Sequence, residues 1–473
     1  MKMVYLLTLL WVNLGTYAQA GTFDNEFVVF KKTASAQALY TFLYAMPKGG
    51  DLHNHSTGSN LSEWWYEEIL AQEKKGYTYY TKVKINNCRG YGTNEFSGSP
   101  YLMFFINIQA YEYNQLNRCE QGEYLRIQDL NDEQKRAWLN SIRIDNASEG
   151  RDEFFQRHWA RINSLMSNPY MQANLIVKNM QAFGAEGLTY LETDAGVRGF
   201  VHPDGSPFDS EEVYQIYLDR FAQKDALATG VTVRLQYAFV RFNTHAEDRL
   251  KWMYGFVTSH SALYVGVDIV GREDNDKGHP LRFLPTLREL RHQYHGVNLS
   301  LHAGESDEPN YHIRDTLLLG ATRIGHGLNL IDDPDTLLLM RNSQYLIEIN
   351  LISNLLLEYV DDYAKHPFPE YLRLGIPVAL STDDRGMWDS NMTDEYYTAV
   401  TNFNLSWSEL VKLGANSITY SFLDDKTKQQ LLDDYYQRIT AFESAYSDKK
   451  MAAFDNLKPQ SYSFACKKFK ICF

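Results

Sequence analysis

From about residue 187 the chain alternates between short apolar runs and longer stretches of helical patterning. Near-continuous apolar runs fall at Gly187–Thr193, Val231–Val240, Ala262–Gly271, Val297–His302, Thr322–His326, Tyr345–Asn350 and Ile376–Thr382. Helical patterning separates them at Ser210–Ala228, Glu247–Ser259, Pro285–His292, His312–Leu319, Asp333–Arg341 and Pro369–Leu374. An earlier segment, Met46–His55, brings the runs to eight. Strands that are apolar throughout and alternate with helices predict a parallel sheet covered on both faces. Eight such units predict an α/β fold of the (β/α)8 TIM-barrel type. An open doubly wound sheet is the alternative, but no Gly-x-Gly-x-x-Gly follows the first run.

The remaining segments decorate this frame. Ser35–Ala45 predicts a helix with Leu39, Leu43 and Tyr44 inward, stopped by Pro47, Gly49 and Gly50. Residues 21–32 are mixed and predict an exposed lead-in. Residues 61–72 predict a helix with Trp64, Trp65 and Ile69 on its apolar face. The stretch from about 80 to 130 is rich in Gly, Asn and Tyr with weak periodicity, and predicts an insertion after the first strand. Helical patterning returns at 131–183 and again at 393–445, and 446–473 forms a basic, aromatic tail. The expected organisation is therefore a leader at 1–20, a barrel at 21–445 and a tail at 446–473.

Composition narrows the class. The chain has 473 residues, 44% hydrophobic and 14% aromatic, so a large core is expected and bulk disorder is not. Its formal charge of −13 argues against nucleic acid or an anionic membrane as main partner. Lys2, the apolar Val4–Leu14 and the small-residue Ala18-Gln-Ala20 predict a secretory signal cleaved after Ala20. The expected location is secreted or periplasmic, with no membrane contact after cleavage. Four cysteines allow three pairings; the simplest for an exported chain are Cys88–Cys119 and Cys466–Cys472.

The ends of the predicted strands are unusually polar. The first carries His53-Asn-His55, and alternation along a strand would put both imidazoles on one side, roughly 6–7 Å apart. The fifth ends in Ser300-Leu-His-Ala-Gly-Glu305, the sixth in Arg323-Ile-Gly-His-Gly327 and the eighth in Leu380-Ser-Thr-Asp-Asp-Arg385. Barrel enzymes place their chemistry at these C-terminal strand ends. Three imidazoles and a carboxylate suit a divalent ion, zinc above all, which makes water a nucleophile near neutral pH. Glu305 and His326 lie where a proton shuttle and an electrostatic partner are needed.

Taken in order, the His-x-His pair, Ser-Leu-His-Ala-Gly-Glu, Arg-Ile-Gly-His-Gly and Ser-Thr-Asp-Asp strongly resemble the adenosine deaminase family of metal-dependent barrel hydrolases. The Met-Pro-Lys-Gly-Gly lead-in, the leader and the cysteine-bearing insertion resemble its secreted, growth-factor-related branch. The resemblance runs from about Met46 to Leu423. It implies one zinc ion per chain held by His53, His55, His302 and Asp383. It implies that Glu305 protonates the purine N1, that His326 orients the attacking water, that Asp384 bonds N7 and that the Gly271 N–H reaches N3. The implied activity is hydrolytic deamination of adenosine and 2′-deoxyadenosine to inosine products and ammonia, with a small purine nucleoside as partner. The resemblance breaks at Ser56-Thr-Gly-Ser59, where the cytosolic enzymes carry a ribose-binding aspartate, and at Arg385, where proline is usual. Glu192, ending the second run, is either a ribose contact or a structural ion-pairing group. The competing readings are a barrel hydrolase for a nucleotide, a modified adenosine or another amino-purine, and an extracellular signalling protein on this scaffold.

Overall fold

The computed structural model describes residues 13–89, 101–146, 148–306 and 308–473. Eight parallel strands run in sequence order around a barrel: β1 (Gly49–Asp51), β2 (Leu188–Asp194), β3 (Thr232–Val240), β4 (Tyr264–Val270), β5 (Asn298–Ala303), β6 (Arg323–His326), β7 (Leu346–Ile349) and β8 (Val378–Leu380). Seven of the predicted runs become strands within two residues at either end. The first is much shorter than its run. Regular pairing stops at Asp51, and His53–His55 continues as single bridges, Asn54 to Asp383 and His55 to Asp194. The bridge to Asp383 closes the barrel between its first and last strands, and the bridge to Asp194 extends the pairing with β2.

Helices cover the outside because each β-to-β connection carries an apolar stripe. Ala36–Ala45 starts where the Ser35 side chain accepts the Ala38 N–H at 3.1 Å, and it buries Leu39, Leu43 and Tyr44. Three longer helices, Met392–Phe403, Trp407–Thr419 and Asp425–Lys449, follow β8, as expected of the C-terminal patterning. The tail turns back as a short helix, Ser463–Phe469, and buries Phe464, Ala465 and Ile471. No helix among the described residues is long and apolar enough to cross a membrane.

Residues 21–32 are not the exposed lead-in expected. A helix spans Asn13–Thr33, and Phe23, Phe27 and Phe30 are buried against Phe42, Trp407 and Tyr446. Spacings of four and three residues put these rings on one face, and burial of about 150–250 Å² by each ring outweighs the polar residues between them. Residues 1–12 of the expected leader lie outside the described residues. The insertion folds as a three-stranded antiparallel sheet (Asn107–Gln109, Tyr79–Lys82, Tyr124–Arg126), with residues 90–100 outside the described set. Cys88–Cys119 staples it, and Cys466–Cys472 closes the tail, the two pairings expected.

Candidate active site

The site is built into the seam that closes the barrel. Asp383 N–H donates to the His53 carbonyl at 2.9 Å, and His55 N–H donates to the Asp383 carbonyl at 3.3 Å. On the other edge Asp194 N–H donates to the Asn54 carbonyl at 2.8 Å. The extended backbone keeps its alternation: Asn54 turns away to bond Thr193 and Thr382, while His53 and His55 turn inward. Glycines make the room. A Cβ on Gly325 would stand 2.6 Å from His53 Cε1, so the motif Arg-Ile-Gly-His tolerates nothing larger there. A Cβ on Gly58 would coincide with the Asp384 carboxylate at 1.6 Å, which explains the glycine within Ser56-Thr-Gly-Ser59. His326 and Asp383 take left-handed φ values of 67° and 54° at the ends of β6 and β8, a strain that non-glycine residues keep mainly where function requires it.

Each of three imidazoles is backed by a carboxylate. His53 Nδ1 lies 2.9 Å from Glu348, His55 Nδ1 lies 2.8 Å from Asp194, and His302 Nδ1 lies 3.0 Å from Asp268. Each Nδ1–H donates to its carboxylate and stays on the ring, so each Nε2 presents its lone pair. Those lone pairs converge. His55 and His302 Nε2 are 3.2 Å apart, Asp383 Oδ1 is 3.3 Å from His55 Nε2 and 3.7 Å from His53 Nε2, and His53 Nε2 has no hydrogen-bond partner. Two lone pairs at that separation repel unless a cation lies between them. Three nitrogens and one carboxylate oxygen in a buried cluster fit a zinc-like divalent ion. Burial alone disfavours charge on His53, yet Glu348 and Asp383 push it up to about 9, and His55 rises well above its ordinary value beside Asp384 and Asp194. The carboxylates thus draw positive charge into the cluster.

His326 stands as close but is oriented the opposite way. Its ring lies 4.8 Å from that of His53, centroid to centroid, and the nitrogens of His53, His302 and His326 lie within 4.8 Å of one another. No carboxylate backs it. Its Nδ1 faces the side-chain amide nitrogens of Asn354 at 3.0 Å and Asn350 at 3.3 Å, both donors. Nδ1 therefore accepts, and the proton sits on Nε2, which points at Glu305 Oε1 3.8 Å away. A metal ligand needs a lone pair at that position, so His326 serves as a donor beside the cluster.

Two carboxyls are shifted toward their neutral form. Burial raises Glu305 well above its ordinary value, helped by Asp383 and Glu273, and burial raises Asp384 with Asp383 alongside. Both line a cavity of about 470 Å³ with the Gly271 backbone, His55, His302, His326 and Asp383. Its outer wall is apolar, with Phe154, Phe155, Trp159, Phe200 and Val240. Arg198 is the one Lys or Arg among the residues lining it. Glu273 fixes the loop carrying the acid, accepting the Glu305 N–H at 2.8 Å and the Gly304 N–H at 3.1 Å.

A family model described as adenosine deaminase matches residues 125–438. The chain belongs to the adenosine deaminase family. The match begins after β1, so His53 and His55 lie outside it and join the site by geometry. Adenosine deaminase from Aedes albopictus is 25% identical over 407 residues, 82% of this chain and 72% of that protein. Adenosine deaminase from Plasmodium falciparum is 30% identical over 194 residues, 40% of this chain and 51% of that protein. Among solved structures, an amidohydrolase from Burkholderia ambifaria with bound Zn superposes with a TM-score of 0.63 at 16% identity, over 87% of this chain and 95% of that one. The N6-mAMP deaminase of Arabidopsis superposes at 0.59 and 19%, over 84% of this chain and 99% of that one. These likenesses establish the shared barrel.

In this adenosine deaminase-family barrel, His53, His55, His302, Asp383, Asp384, Glu305, His326 and Gly271 come together at one mouth. Glu192 does not join them. Its carboxylate is buried in the barrel interior, 2.6 Å from Arg323 and bonded by the Tyr190 hydroxyl and the Phe422 N–H, so it is an ion-pairing group, with no face on the cavity. Arg385 also turns away. Its guanidinium is buried beside Glu186 and the Phe183 ring, leaving the pocket charge unaffected. Sequence reading missed Asp194, Asp268 and Glu348, which back the histidines. Asp268 and Glu348 are single acids inside otherwise apolar runs, and Asp194 stands one residue past its run. It also missed Gln172, whose Nε2 donates to Ser56 Oγ at 2.7 Å and whose buried carbonyl oxygen has no partner, on the pocket wall.

Proposed function

We propose that this protein is a secreted, zinc-dependent adenosine deaminase that converts adenosine and 2′-deoxyadenosine, with water, to inosine and 2′-deoxyinosine plus ammonia. The observation that carries the proposal is the convergence of three carboxylate-backed Nε2 lone pairs and Asp383 beside a neutral, buried Glu305. His53, His55, His302 and Asp383 hold the zinc. When bound, it supplies the Lewis acidity that turns water into a nucleophile near neutral pH. Glu305, protonated by its burial, gives its proton to purine N1 as C6 is attacked. His326 presents Nε2–H toward the attacking oxygen and holds it in line. Asp384, also neutral, donates to N7, and the Gly271 N–H donates to N3. The proton of the new C6 hydroxyl then passes by way of the Glu305 carboxylate to the amino group. The C6–N bond breaks, and ammonia leaves through the apolar mouth, which keeps bulk water from competing. Glu305 regains its proton from the next water.

Ser56 and Gln172 occupy the wall where the cytosolic enzymes use an aspartate, and the unpartnered Gln172 carbonyl is suited to a ribose hydroxyl. The single guanidinium of Arg198, stacked over Trp252 at 3.9 Å, favours a nucleoside over a 5′-nucleotide, whose phosphate would need more neutralisation. Export of the chain is supported by two disulfides and by the leader-like residues 1–20. Residues 21–445 then form the mature barrel with its insertion, and 446–473 the tail.

The test is ammonia release by purified protein from adenosine, 2′-deoxyadenosine, AMP, N6-methyladenosine and guanosine. Turnover of the first two above the rest is expected. Inertness on all five with zinc bound overturns the reading, and AMP as the preferred substrate moves it to a nucleotide enzyme.

A further inference from the structure

The orientation of His326 is imposed from a distance. Behind it runs a buried line of hydrogen bonds that starts on the backbone. Phe368 N–H donates to His366 Nδ1 at 3.1 Å. A backbone N–H can only donate, so Nδ1 of His366 must accept. Burial holds His366 down to about 3, so it is neutral and its single proton lies on Nε2. That Nε2 faces Asn354 Oδ1 at 3.1 Å, which fixes the oxygen side of the amide toward His366. The amide nitrogen must then face His326 Nδ1, at 3.0 Å, and His326 must carry its proton on Nε2. No link leaves a choice of donor. His366, Asn354 and His326 are all buried, so water does not compete for these groups.

The reason for such a line lies in the crowding at the mouth. If the amide of Asn354 were reversed, its oxygen would draw the proton to His326 Nδ1. Nε2 would then offer a lone pair beside the nitrogens of His53 and His302, which lie within 4.8 Å. A fourth imidazole lone pair would compete for the ion and would face the Glu305 carboxyl with nothing to donate. We propose that His366 is a positioning residue that, through Asn354, locks His326 in its Nε2–H form and keeps it out of the ligand set. His366 touches neither the ion site nor the pocket. Its effect on turnover rests on the deaminase reading above, whereas its effect on the His326 proton does not.

The experiment reads that proton directly. Zinc-loaded protein labelled with 15N histidine is examined by long-range 1H–15N correlation, which distinguishes the two neutral imidazole forms. The wild type should show His326 as Nε2–H, assigned by its loss in His326→Gln. His366→Leu should give a mixture of forms, and Asn354→Asp, of equal size but an acceptor on both sides, should move His326 to Nδ1–H. His366→Gln restores a donor at the Nε2 position and should return the wild-type pattern. In parallel, His366→Leu should lower kcat by about tenfold with KM within about twofold, the loss of one well-oriented hydrogen bond. His366→Gln should recover most of it. A purely structural role would lower thermal stability in both variants without changing the His326 form. The proposal is overturned if His326 is Nδ1–H in the wild type, or if Asn354→Asp and His366→Leu, folded by circular dichroism, leave it as Nε2–H. A wild type inactive on every nucleoside but with the expected proton pattern overturns the deaminase reading and leaves this one standing.

Discussion

Two layers of the barrel interior hold ionised side chains, and they are arranged on opposite principles. In the lower layer Arg323 lies between Glu192 and Glu348, at 2.6 and 2.7 Å. The Tyr190 hydroxyl donates to the other Glu192 oxygen, and the Ser300 hydroxyl donates to the Glu348 oxygen that Arg323 holds. Its charges are met by protein. In the upper layer Asp194, Asp268 and Asp383 lie against imidazoles, Asp268 also accepts the His302 N–H at 3.3 Å, and among the described residues no Lys or Arg forms an ion pair with any of them. A layer that neutralises itself is framework. A layer that gathers carboxylates and imidazole lone pairs, while its buried Arg241 is spent on the His302 and Ile269 carbonyls, is built to receive a cation. Glu348 joins the two, holding Arg323 with one oxygen and His53 with the other.

The largest effect should come from the acid of the upper layer. Glu305→Gln should reduce ammonia release by about 10³-fold or more while metal content, read by elemental analysis, stays at one zinc per chain. Because burial raises the Glu305 carboxyl, it is protonated below that raised value. Activity should fall as pH rises through it, and this alkaline limb should vanish from the residual rate of Glu305→Gln. A full rate in the variant would break the distinction drawn here between acid and ligand.

Arg323→Met tests the lower layer. It leaves the buried carboxylates of Glu192 and Glu348 without their cation, and should cost about 3–5 kcal/mol in urea unfolding. The folded fraction should still bind zinc. Loss of zinc with little loss of stability would show that the layers do not divide as described. The smallest effect is expected from Asp268→Asn. It keeps the fold but weakens the proton grip on His302 Nδ1, and should reduce zinc affinity by about 10–100-fold in competition with a chelator. An unchanged affinity would mean that the carboxylate backing is incidental.

The same contrast explains what could be read before the structure. Seven barrel strands were legible because a parallel strand covered on both faces is apolar along its whole length. β1 was not legible in extent, since three residues of ladder followed by single bridges leave no periodic trace. The helix carrying Phe23, Phe27 and Phe30 was passed over although its spacing was visible, because the polar residues between the rings obscured the stripe. Residues that would touch an ion sit at strand ends in compact motifs, and the family resemblance those motifs carry picked them out. Asp194, Asp268 and Glu348 were not picked out, since one acid in or beside an apolar run does not say which ring it backs. Glu192 and Glu348 look alike in sequence, as acids in apolar runs, and both pair with Arg323; only the contact of Glu348 with His53 tells them apart. The opposed orientation of His326 depends on Asn354 and His366, and no motif spacing encodes a hydrogen-bond direction.

The seam itself has a consequence for how the molecule comes into being. His53 and Asp383 belong to opposite ends of the chain, and the backbone bonds that join them complete both the barrel and the donor set. Catalytic competence therefore arrives last, when the C-terminal strand emerges and docks on the N-terminal one. Contacts this distant in sequence are slow to form. An ion seated on both strands would act as a clasp, so the donor set is incomplete until the last barrel strand has docked and, once docked, the barrel is fastened at the seam where it would otherwise begin to open.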